Sequence, residues 1–210
     1  IKAFESEKFT FFFLAGIFLF LGFITKGFTA LFPLSFPFFY WLVKGDFAWY
    51  KLIRIYFLLL IGFLVPLALL FTLVPESYIH FNNYFQIQLI NGVNRERVGR
   101  GRFYIIRRAM QELLPMIILT VLFYLRKKIF SKSNTTIRQN RSWSIIFLAT
   151  ALSGVLPIMV SLKQSTFYII PTFPLFSICF ALLIASSVNS ILAIIKLSPS
   201  RIKALSVFNV

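Results

Sequence analysis

Along the chain, long hydrocarbon runs alternate with short charged connections. Runs of about 17 to 25 predominantly apolar residues mark membrane-crossing helices, and they place spans near 9–25, 28–43, 55–74, 110–125, 143–162 and 167–195. The pattern predicts an all-α fold, a polytopic transmembrane helical bundle of about six membrane helices, with one larger outer loop (75–109) that contains a short helix. The second span is short and carries Pro33 and Pro37. This predicts a kink, which a membrane helix tolerates where neighbouring helices or water satisfy the freed carbonyls. The last span is too long for a straight crossing, and its start, FYIIPTFP from Phe167 to Pro174, predicts irregular backbone before the helix becomes regular.

Composition supports a membrane solvent. Of 210 residues, 59% are hydrophobic and 28 are Phe, with a mean hydropathy of +0.84, well above the apolar share of about 45 to 50% in soluble domains. Charge is lopsided, 22 Lys plus Arg against 6 Asp plus Glu, an excess that suits contact with membrane lipids or anionic ligands. Nucleic acid is not an expected partner, because the basic residues are divided among short loops and form no groove-reading motif. The single cysteine, Cys179, can form no internal disulfide.

The termini and the loops 44–54 and 126–142 collect 14 of the 22 basic residues. By the positive-inside rule those loops are cytoplasmic and the 75–109 loop is external. The exception is a cluster of Arg95, Arg97, Arg100, Arg102, Arg107 and Arg108 in the external loop. Such a cluster works against translocation, and a phosphate or pyrophosphate is the ligand an arginine fork fits best. Its simpler reading is an amphipathic surface helix lying on anionic lipid.

Between the first two spans stands Thr25-Lys26-Gly27. A lysine at the bilayer centre costs roughly 2.5 to 3.5 kcal/mol, so this turn belongs at the outer surface, level with the arginine loop and with Lys163 between the last two spans. Three outer connections therefore present cations, an arrangement that suits a pocket better than a patch. For Lys26 and Lys163 the simpler reading is a side chain that snorkels to headgroups. For Tyr168 it is the interfacial aromatic belt.

The stretch ITKGFTALFPL, followed much later by LSGVLPIMVSLKQSTFYIIPTFPLFSICFAL, resembles membrane glycosyltransferases of the GT-C fold. The nearest branch contains the bacterial lipid A aminoarabinose transferases and the dolichyl-phosphate-mannose protein mannosyltransferases. QIQLINGV leading into GRFYIIRRAMQELLP matches the region between, so the resemblance covers nearly the whole chain. It implies an enzyme of the bacterial inner membrane and cell envelope with its active site facing the periplasm. The donor would be a polyprenyl-phosphate-linked sugar and the acceptor a lipid, glycan or protein.

On the same resemblance, Lys26, Tyr168 and Lys163 would hold the donor phosphate. The family's loop arginine would align near Ile87 to Ile90, where this chain has none, so Arg95, Arg97 or Arg102 would substitute. The acidic general base would lie in a first outer loop upstream. Residues 1–210 then read as a single transmembrane domain drawn from a longer protein.

Other chemistry is not signalled. His80 is the sole histidine and has no ligand cluster in sequence, and there is no GxGxxG or phosphate loop, so neither metal nor cofactor is expected. Glu112 is expected to pair with Arg108 at i, i+4 rather than serve as a base. The alternative function is a transporter or flippase for an anionic lipid-linked substrate. Against it stands the scarcity of acidic residues in the spans for ion coupling. A third reading is a structural membrane subunit whose arginine loop grips lipid or a partner.

Overall fold

The computed structural model describes residue 4 and residues 8–87, 101, 103–130, 135–159 and 166–196. Among them every regular element is helical. Helix α1 (Thr10–Lys26) ends at a 3-10 segment (Gly27–Ser35), which continues as α2 (Phe36–Lys44). The chain proceeds through α3 (Trp49–Leu73), the short α4 (Glu76–Phe85), α5 (Tyr104–Phe130) and α6 (Thr135–Val155). Three 3-10 turns (Leu156–Met159, Thr166–Tyr168 and Ile170–Thr172) then lead into α7 (Phe173–Lys196). This is an all-α membrane helical bundle. Among the described residues, four stretches are long and apolar enough to cross a membrane: Thr10–Lys44, Trp49–Leu73, Asn140–Met159 and Ile170–Asn189.

The first of these is a hairpin, not one rod. Phe4, before α1, stacks on Tyr40 of α2 with ring centroids 4.2 Å apart, so the chain folds back on itself after Lys26. Both predicted spans are present as its two legs. The predicted kink takes the form of 3-10 geometry, with Pro33 inside the segment and Pro37 in the first turn of α2. There its missing N–H would have had no intrahelical partner anyway.

Carbonyls freed by this geometry find hydroxyls. Ser35 Oγ donates to Phe32 O at 2.8 Å, and Tyr56 Oη, from α3, donates to Leu34 O at 2.9 Å. The 3-10 stretch also gives the leg its reach. Nine residues at about 2.0 Å each and nine at about 1.5 Å each span about 31 Å, close to the hydrocarbon thickness of about 30 Å. An all-α leg would reach only about 27 Å.

Helices α1 and α3 meet backbone to backbone. A Cβ at Gly16 would overlap Leu59 O, and one at Gly62 would overlap Phe13 O, the small-residue contact that lets membrane helices approach closely. The second leg packs on α6, where Ser35 and Ser153 share a 2.6 Å hydroxyl contact. Helix α7 packs on α6 and α5, around a core that includes Ile105, Leu113, Ala151, Val155, Ile169 and Phe176. Outward positions such as Phe18 (71% exposed) and Leu122 (61%) are apolar, as a lipid-facing surface requires.

The FYIIPTFP stretch is irregular as expected: two 3-10 turns precede the regular α7. The predicted span 110–125 lies inside α5, a helix of 27 residues. Arg108 Nη2 and Glu112 Oε1 pair at 2.6 Å, as the i, i+4 spacing predicted.

Candidate anion site at the Lys26 end

The site begins with the turn that closes α1. Lys26 is the last residue of the helix, where its charge complements the negative end of the helix dipole. Gly27 follows with φ 66° and ψ −149°, a backbone region that is essentially glycine-only. Its N–H closes the helix on Phe23 O. The flanking threonines brace the turn: Thr25 Oγ1 donates to Gly22 O at 2.8 Å, and Thr29 Oγ1 donates to Lys26 O at 2.9 Å.

Around this turn lies a cavity of about 470 Å³, bounded by the ends of α1 and α3, by one face of α4 and by the 3-10 turn before α7. Its polar lining comes from Thr25, Lys26, Ser77, His80, Tyr84 and Tyr168, with Phe23, Phe71 and Phe81 among the apolar walls. Lys26 and Tyr168, expected in one site, thus line one cavity although 142 positions separate them in sequence. A second cavity of about 590 Å³ shares Thr25 and Lys26 with the first and runs along α1 past Phe12, Phe18, Leu19 and Pro33. Lys26 therefore stands where two largely apolar cavities meet, the first carrying the phenols and the imidazole. Such a junction suits an amphipathic ligand with an anionic head.

Arg95, Arg97, Arg102 and Lys163, also expected at the phosphate, lie outside the described residues. The residues that sequence reasoning missed are all on α4. Ser77, His80, Phe81 and Tyr84 follow the i, i+3, i+4, i+7 rule of a single helix face. That spacing was a usable signal within ESYIHFNNYF. Tyr84 is half-buried in the cavity wall. Burial pushes its phenol above the ordinary value of 10.0, the Phe28 backbone N–H opposes that shift, and the nearby Tyr168 phenol adds to it.

Comparison of the chain with protein-family models, curated proteins and solved structures finds no match.

Proposed function

We propose that this chain forms the donor-phosphate half of an integral-membrane glycosyltransferase, one that moves a sugar from a polyprenyl phosphate to a lipid, glycan or protein acceptor. The observation that carries the reading is the meeting of Lys26 and Tyr168 on one cavity at one end of the bundle, with the second phenol of Tyr84 beside them. Sugar transfer from a polyprenyl phosphate expels a phosphate. A fixed ammonium and fixed O–H donors stabilise the charge that grows on such a leaving group. The apolar cavity beginning at the same lysine offers a path for the hydrocarbon portion of that donor.

In this proposal Lys26 and Tyr168 bind the phosphate oxygens, Tyr84 and His80 complete the wall, and Lys163 with Arg95, Arg97 or Arg102 adds charge from the adjoining connections. The acidic base that activates the acceptor comes from outside this chain. The site faces the periplasm of a bacterial inner membrane, since the loops at the opposite end carry most of the basic residues.

The test is incubation of the native protein in membranes with a sugar-labelled polyprenyl phosphate. The expected result is release of the lipid phosphate in step with appearance of sugar on an acceptor. Movement of the intact lipid across the bilayer without sugar transfer would favour the transporter reading instead.

A further inference from the structure

Helix α4 has no buried residue, so its place on the bundle depends on a few ring contacts. Phe81 lies against Phe23 and Phe71, with centroids 6.0 and 5.5 Å apart, and Phe85 meets Phe28 edge-on at 5.9 Å. Tyr84 differs from these. Its ring stacks on Phe28 at 6.0 Å and 14°, and its hydroxyl occupies the space that a Cβ on residue 27 would fill. Phe28 is the second residue of the 3-10 segment, and the first N–H groups of a helix have no partner of their own. The Phe28 N–H faces the Tyr84 oxygen. Glycine at position 27 thus answers two demands at once, a positive φ and room for a phenol from another element.

We infer that Tyr84 is a positioning residue: its hydroxyl, seated against Gly27, fixes the turn that aims Lys26 into the cavity and so couples α4 to the anion site. This deepens the proposed phosphate role of Lys26 and rests on it. Packing alone would need only the ring. Phenylalanine would keep the stack on Phe28 and lose the oxygen at the turn, so Tyr84→Phe isolates the positioning role from the packing role.

Two measurements on the detergent-solubilised chain separate this inference from the reading beneath it. The first needs no ligand. Hydrogen exchange of the 23–32 stretch in Tyr84→Phe should be at least about threefold faster than in wild type, the scale expected for loss of one hydrogen bond, while α3 and α6 exchange as before. Exchange at the wild-type rate overturns the inference, whatever the chain binds.

The second uses farnesyl phosphate as probe. Tyr84→Phe should weaken its binding about three- to tenfold, and the same change in a Lys26→Met background should add nothing further. Non-additivity of that kind is the signature of two residues acting as one unit. An additive loss overturns the inference and leaves the phosphate site standing. If Lys26→Met alone binds farnesyl phosphate as wild type does, the phosphate reading fails, and the exchange measurement alone decides whether Tyr84 fixes the turn.

Discussion

The two ends of the bundle treat their cations differently. At the end where α2 turns into α3, each of three basic side chains lies over a ring: Lys44 Nζ is 5.4 Å from the Trp143 centroid, Lys51 Nζ is 5.7 Å from that of Phe47, and the Arg54 guanidinium is 3.8 Å from that of Phe9. A ring face holds a cation by its quadrupole, worth about 0.5 to 1 kcal/mol at exposed sites. It tethers the side chain to the fold. At the opposite end Lys26 has, among the described residues, neither a ring beneath it nor a carboxylate beside it. It faces a cavity whose other polar walls are phenols, an imidazole and hydroxyls. The same residue type thus serves as an anchor at one end and is left with three N–H donors to offer at the other.

The sharpest way to break the contrast is at Gly27. Any Cβ there meets the Tyr84 phenol and forces an L-residue into a glycine-only conformation. Gly27→Ala should therefore cost about 1 to 3 kcal/mol in backbone strain alone, lower the thermal midpoint and release α4, seen as faster hydrogen exchange of Glu76–Phe85. Gly45, which also has a positive φ (65°) but open space around it, supplies the control. Gly45→Ala should lower the midpoint less and leave α4 exchange unchanged.

Next in size is Tyr168. Tyr168→Phe should weaken farnesyl phosphate binding by about 1.5 to 3 kcal/mol, the range for a hydrogen bond to a charged group, with no change in thermal midpoint. Unchanged affinity would return Tyr168 to the interfacial aromatic belt. The smallest effect belongs to the anchored end. Arg54→Met should cost about 0.5 to 1 kcal/mol of stability through loss of the contact with Phe9, measured by thermal melting, and should leave farnesyl phosphate affinity unaltered.

How much of this was legible in sequence depends on how local the cause is. The hairpin break at Lys26-Gly27, the disturbed geometry around Pro33 and Pro37, the irregular start of α7 and the Arg108–Glu112 pair all follow from neighbours within about one helical turn. Each was readable. The stretched 3-10 leg was not, since its carbonyls depend on Tyr56 from α3 and, at 3.4 Å, on Ser153 from α6.

At the candidate site, Lys26 and Tyr168 were singled out by a resemblance in sequence, whereas the α4 face went unnoticed. Ser77, His80 and Tyr84 are ordinary interfacial residues until the fold lays them over the turn. Only tertiary packing gives Tyr84 its partner in Gly27.

The contrast between a held cation and an offered one is tested most directly by a matched pair of substitutions. Farnesyl phosphate affinity would be measured for Lys26→Met and Lys44→Met side by side in the detergent-solubilised chain, with farnesol as the uncharged control. The account predicts that Lys26→Met weakens phosphate binding about 10- to 100-fold, equivalent to about 1.5 to 3 kcal/mol, and leaves farnesol binding unchanged, while Lys44→Met stays within about twofold of wild type for both. Equal losses from the two substitutions would mean that the lipid phosphate responds only to total charge and that Lys26 is no more than a turn lysine at the membrane surface.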